Sequence, residues 1–225
     1  PEVILQRLVT GDVKKVSLTI PEGFTLTQII DRIAKAGYGN KEKLMQLANN
    51  RDFIKTLKLD VPSLEGYLFP EPYLFTPGID EAKLLRMMVE QFHNQLDQAL
   101  IKKAAKLSLN LHQLVTLASI IEKETGLVEE MPLISSVFHN RLQRRIPLQT
   151  DPTVIYGIKD FDGNLTRIHL KTRTPYNTYI IRGLPPGPIA NPGLAALQAA
   201  AEPANSAYLY FVSRGDGSHH FSKTL

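Results

Sequence analysis

The 225-residue sequence contains no cysteine. That excludes a disulfide framework, a thiolate nucleophile and any zinc or iron–sulfur site built on thiolates, and it leaves the compartment open. An excess of one charge is also lacking: 26 Lys and Arg against 22 Asp and Glu leave a surplus of only +4. The basic residues are spread along the chain and cluster only at Arg141, Arg144 and Arg145. None of the nucleic-acid recognition motifs occurs, so no nucleic-acid partner is expected. The longest apolar-leaning stretch, Leu107 to Ile121, is interrupted by Asn110, His112 and Gln113 and falls short of the ~20 residues of a membrane-spanning helix. The sequence has no G-x-S-x-G elbow, no G-x-x-x-x-G-K-[ST] loop, no G-x-G-x-x-G fingerprint and no H-E-x-x-H, which removes the main support for a serine hydrolase, a nucleotide enzyme or a zinc protease. It opens at Pro1 without an initiator Met or a signal-peptide pattern and reads as a fragment whose missing N-terminus could hold an anchor.

What is present is the composition of a folded domain, 43% hydrophobic and 21% charged, on a chain long enough for a core without staples. Residues 1–62 read as a small α/β unit. Val16 to Ile20 is a β-branched run closed by Pro21-Glu22-Gly23, after which Thr25 or Thr27 caps a helix with Leu26, Ile29, Ile30 and Ile33 inward. Gly37 and Gly39 stop it, and Lys41 to Leu59 holds one or two more helices. Residues 64–75 hold four aromatics, on either side of Pro70 and Pro72, prolines that forbid a helix or a central strand and leave an extended edge or loop. Asp80 to Lys106 reads as one long amphipathic helix, Leu111 to about Thr125 as a second and Met131 to Arg145 as a third. Beyond Ile146 come proline- and glycine-rich loops of the kind that line sites, then a helix over Leu194 to Glu202. A hairpin over Tyr208 to Ser213 and Ser218 to Thr224 turns at Asp216-Gly217. The class is α+β: a small α/β subdomain, then a mixed, mainly helical domain over 63–225 with a C-terminal hairpin.

One carboxylate stands out. At ~100° per residue, Glu122 falls between Leu111 and Val115, on the apolar stripe of its helix, with no Lys or Arg one turn away. Glu124 lies at the stripe's margin, beside Leu117 and Gln113. Burial raises the pKa of a carboxyl, the condition for a proton donor near neutral pH. The competing reading is a buried glutamate satisfied by an arginine or by backbone donors. Asp151 reads first as an Asx turn or N-cap before Pro152, and Glu65 as a surface residue of the aromatic loop. Tyr176, Asn177, Thr178 and Tyr179 offer rings, an amide and hydroxyls suited to a sugar, or form a turn. His219 and His220 alternate faces of the last strand and make a poor metal pair.

The runs LEGYLFPEPY (64–73), ASIIEKET (118–125), VFHNRL (137–142), PLQTDPTVIYG (147–157), TPYNTY (174–179) and GLPPGPIANPG (183–193) together resemble the YceG-like (MltG) family of endolytic peptidoglycan transglycosylases. The resemblance implies a LysM-like subdomain over 1–62 ahead of a catalytic domain over 63–225. It implies a protein held by an N-terminal anchor at the periplasmic face of the bacterial inner membrane, with glycan strands as substrate, cell-wall synthesis enzymes as partners, and no cofactor or metal. It maps the catalytic glutamate of the E-K-E run onto Glu122, and the sugar-cleft positions onto Glu65, Gln149, Asp151, Tyr176, Asn177, Thr178 and Asn191. A single acid would serve both steps of a cleavage that leaves a 1,6-anhydro end. The alternatives are a hydrolase of the same strand, which needs a second carboxylate from Asp151 or Glu65, and a non-catalytic glycan-binding scaffold.

Overall fold

The computed structural model describes residues 15–224, so the first fourteen residues of the expected LysM-like subdomain lie outside it. Strand β1 (Val16–Thr19) turns Leu18 into the core. Helices α1 (Leu26–Lys35), α2 (Lys41–Ala48) and α3 (Arg51–Thr56) follow, each started by a side chain that satisfies a free amide of its first turn. Thr25 and Gln28 form a capping box for α1, and Asn40 and Asn50 cap the next two. Strand β2 (Pro72–Phe75) pairs antiparallel with β1, Val16 opposite Phe75 and Thr19 opposite Pro72. Pro72 is its first residue, where a missing N–H is tolerated. The sheet thus joins residues on both sides of position 62, and the apolar core is continuous across it.

The segment expected as one helix over Asp80 to Lys106 is two, α4 (Glu81–Gln95) and α5 (Gln98–Lys106). Leu96 is extended and the Asp97 carboxylate accepts from Leu100 N at 2.6 Å. An N-cap in mid-pattern ends one helix and starts another, and the new direction buries Leu100 and Ala104. Helix α6 (Leu111–Glu124) is the axis of the molecule: Leu114 to Ile121 are all buried, polar Thr116 and Ser119 included. Against it lie α7 (Met131–Gln143), after a 3-10 turn at Val128–Glu130, and the alanine-rich α10 (Leu194–Ala201), whose small side chains let the two backbones approach closely. Among the described residues no helix is long and apolar enough to cross a membrane.

Two short helices lie between. In α8 (Asp151–Tyr156) the N-cap position belongs to Thr150, without a capping bond; Asp151 is the first helical residue, not the cap. Helix α9 (Arg167–Lys171), boxed by Thr166 and His169, has no counterpart in the sequence pattern, because its five residues show no apolar period. Strands β3 (Tyr210–Ser213) and β4 (His219–Ser222) form the expected hairpin, shorter at both ends than its apolar run, with Arg214 N closing on Ser218 O at 2.8 Å.

Candidate active site

Residues 186–193 run alongside α6 from its first turn to its last. His112 Nε2 meets the Pro186 carbonyl at 2.8 Å, Ile189 N donates to Ser119 Oγ at 3.0 Å, and Gly193 N donates to Glu122 Oε2 at 3.0 Å. Because His112 Nε2 faces a carbonyl it carries the proton, leaving Nδ1 to accept from the Tyr67 hydroxyl at 2.7 Å. The aromatic loop crosses both at Gly66. A Cβ there would lie 2.5 Å from Pro188 and 2.9 Å from Val115, on a backbone with φ of +88°, so this position admits only glycine.

Glu122 is half-buried at the start of α10, packed against Gly23. Burial raises its pKa, and repulsion from Glu22 adds to this, while the Gly193 N–H and Lys123 oppose it. The positive end of α10 also favours the anion. Glu124, two residues on and so ~200° around the helix, projects into a different neighbourhood. One oxygen accepts from the Thr150 hydroxyl; among the described residues the other has no partner, and it is not sealed from solvent. Burial lifts its pKa to about 7, with Asp151 pushing the same way and Thr150 and His219 opposing. Near it stand Asp151 and Tyr179, whose Oη donates to Asp151 at 2.6 Å; Gln149, next to Thr150 in the chain, is exposed, with φ of +52° and its backbone N–H donating to Thr178 O. His219 donates its backbone N–H to Glu130 Oε1 at 3.0 Å and sets Nδ1 2.7 Å from Oε2. His220 is exposed, and no three potential metal ligands converge among the described residues.

The other mapped residues divide by burial. Gln149, Asp151 and half-buried Tyr176, whose ring tilts against Tyr156 at 4.8 Å, remain accessible. Asn177, Thr178 and Asn191 are wholly enclosed. Asn177 Nδ2 donates to the carbonyls of His169, Leu170 and Thr172 at the end of α9. The Thr178 hydroxyl takes the Thr150 N–H and bonds Thr153 Oγ1. Asn191 joins Leu68 N to Phe24 O and donates to Glu65 at 3.1 Å. Glu65 is not the surface residue its loop suggests: it is buried, and accepts also from Leu26 N at 2.9 Å and Tyr156 Oη at 3.1 Å. Desolvation outweighs these donors and lifts its pKa to about 7. These four residues hydrogen-bond the loops around the site, Glu65 with 6% of its surface exposed and the other three with none. The helical count puts Glu124 only at the margin of the apolar stripe, because the groups that surround it come from the 150–151 turn and the hairpin. The only sequence signal is its neighbour's: a lysine flanked by two glutamates at the end of an otherwise apolar helix.

A raised-pKa carboxyl with one open oxygen, beside fixed amides, hydroxyls and tyrosine rings, equips a protein for acid catalysis on a neutral, oxygen-rich ligand. Comparison with known proteins agrees in kind. The model of the YceG-like family matches residues 1–225, and the chain belongs to that family. It is 35% identical over its whole length to a Bacillus subtilis (strain 168) protein named endolytic murein transglycosylase, of which it spans 66%. It is 32% identical over 88% of its length to a Streptococcus pneumoniae (strain D39) protein of the same name, of which it spans 40%. The crystal structure of a YceG-like protein from Listeria monocytogenes superposes with a TM-score of 0.84 at 34% identity, covering all of this chain and 78% of that one. The chain therefore spans less than two thirds of the curated relatives it matches.

Proposed function

We propose that this chain is the catalytic part of an endolytic peptidoglycan transglycosylase and that Glu124 is its proton donor. The observation that carries the reading is the Glu124 carboxyl, raised by burial to a pKa of about 7, with one oxygen bonded to Thr150, the other unpartnered among the described residues, and Asp151 and Tyr179 nearby. The names of its relatives supply the substrate. Protonated Glu124 donates to the oxygen of the β-1,4 bond as positive charge grows at the muramic C1, where the 2-acetamido oxygen assists. The resulting carboxylate then takes the proton of the C6 hydroxyl, whose oxygen closes on C1. The bond to the leaving sugar is replaced by a 1,6-anhydro bridge, the acid is regenerated and no water is consumed. Glu122, onto which the resemblance maps the catalytic glutamate, is the competing donor: each carboxyl makes one hydrogen bond, Glu122 to the Gly193 N–H and Glu124 to the Thr150 hydroxyl, and what favours Glu124 is the nearby Asp151 and the stronger lift of its pKa, to about 7.

A second reading has its own support. Asp151 is near enough to raise the pKa of Glu124, so the two carboxylates could serve a hydrolase. Digestion of purified peptidoglycan with mass spectrometry of the products separates these readings. The expected result is anhydro ends from the wild type and from Glu122→Gln, and at least ~10³-fold less product from Glu124→Gln. Reducing ends, one water heavier, would establish the hydrolase. Loss with Glu122→Gln and not with Glu124→Gln would move the donor. Binding without any strand shortening would leave a scaffold. The unit from β1 to β2 is assigned the LysM-like, strand-binding role, supported by its exposed apolar–polar cleft of about 470 Å³ between Leu18, Phe24 and Arg32. The site of action is assigned to the periplasmic face of the membrane, where the substrate is made, in company with cell-wall synthesis enzymes. Fractionation and co-purification of the whole protein test both.

A further inference from the structure

Arg141 is an unusual cation. It is 7% exposed, and among the described residues no carboxylate lies within ion-pair distance. Its guanidinium is satisfied instead by neutral oxygens. Nε donates to Leu209 O at 2.6 Å, and Nη1 to Pro147 O at 3.1 Å, Leu148 O at 3.0 Å and Gln149 Oε1 at 3.2 Å, with the Tyr210 ring beneath it. A guanidinium has only donors, so the amide of Gln149 has one orientation: oxygen toward Arg141, NH2 away. Gln149 is exposed, with a left-handed backbone whose N–H is bonded to Thr178 O. Its chain neighbour Thr150 bonds the carboxyl of Glu124.

We infer that Arg141 is a positioning residue that makes Gln149 a fixed N–H donor beside the cleaved bond, selecting glycan whose sugars present an acetamido carbonyl oxygen and rejecting glycan whose amines are free. The inference rests on the proposed function for its substrate. A free amine is an ammonium at neutral pH and meets the Gln149 NH2 donor to donor, whereas the acetamido oxygen completes the hydrogen bond. Without Arg141 the amide can turn over and present either group.

The test uses the full chain on two matched soluble glycans, one N-acetylated and one chemically de-N-acetylated, with kcat and KM measured separately. For the wild type we expect the acetylated glycan to be preferred. Gln149→Glu keeps the bond to Arg141 and replaces the donor by an acceptor; its KM for acetylated glycan should rise about tenfold, its KM for free-amine glycan should fall, and the preference should shrink or invert. Gln149→Ala should raise KM on the acetylated glycan alone. Arg141→Lys should reduce the preference in the same direction; since Arg141 also holds three backbone carbonyls, its circular dichroism and Tm are recorded, and the Gln149 variants decide if it does not fold. Loss of acetamido assistance lowers kcat on free-amine glycan for every variant alike, so the change in the KM ratio is the deciding quantity. An unchanged ratio in both Gln149 variants overturns the inference. If the wild type cleaves neither glycan, the proposed function falls, and co-sedimentation decides the inference separately: a preference for acetylated glycan that Gln149→Glu abolishes upholds it, and equal binding overturns it.

Discussion

Two glutamates with pKa near 7 stand in different surroundings. Glu65 is enclosed and its oxygens are taken by Leu26 N, Asn191 Nδ2 and Tyr156 Oη; Glu124 keeps an oxygen open. For Glu124 the consequence is kinetic. The donor must be protonated, so kcat/KM should fall as pH rises through about 7, read from a pH–rate profile on soluble glycan; a flat profile from about pH 6 to 9 would remove it from the acid role. For Glu65 the consequence is stability. Its folded pKa of about 7 lies above the unfolded value of about 4.5, so the folded state holds the proton more tightly. The contribution is complete below about pH 4.5 and is lost as pH rises through about 7, by up to about 3 kcal/mol. Gln keeps a carbonyl for Leu26 N and Asn191 and can donate to Tyr156. Glu65→Gln should therefore flatten the fall in Tm between about pH 5 and 8 while leaving cleavage within about threefold of wild type.

At the level of elements, α6 is a beam to which the loops are fixed. Polar side chains at His112, Ser119 and Glu122 take up main-chain groups of residues 186–193, which explains why a nearly all-apolar helix keeps them. The crossing at Gly66 depends on backbone proximity. Gly66→Ala would force a methyl into Pro188 and Val115 on a left-handed backbone, and chemical denaturation should show a loss of about 2–4 kcal/mol. The run His139, Asn140, Arg141 on α7 works similarly: His139 faces Ala200 O, Asn140 donates to Ser206 O and Tyr208 O, and Arg141 to Leu209 O. Each side chain ties down a piece of the approach to the hairpin. This motif is visible in the sequence, but its partners, sixty and more residues away, are not.

Across the whole molecule, the hairpin brings the C-terminal end of the chain back to the end of α6, where His219, clamped by Glu130, biases Glu124. When protonated it holds the Glu124 pKa down, so His219→Ala should move the alkaline limb of the pH–rate profile to higher pH; an unmoved limb would show that the hairpin only braces the fold. The β1–β2 pair shows the same long reach, joining residues 16–19 to 72–75 across the change of texture at Pro62. Local chemistry was legible in the amino-acid order: a capping threonine at Thr25 or Thr27, Asn110 ahead of α6, the proline limits on 64–75, the apolar face of α6, and a hairpin at Asp216-Gly217. These follow from interactions within about four residues, which a linear pattern records. Tertiary structure alone decided that Glu65 is enclosed with both oxygens bonded while Glu124 keeps one unpartnered, that Asn177, Thr178 and Asn191 face inward, and that the Gln149 amide oxygen meets Arg141. Burial and hydrogen-bond supply at a point in space are set by whichever distant segments arrive there, and periodicity along one helix carries no record of them.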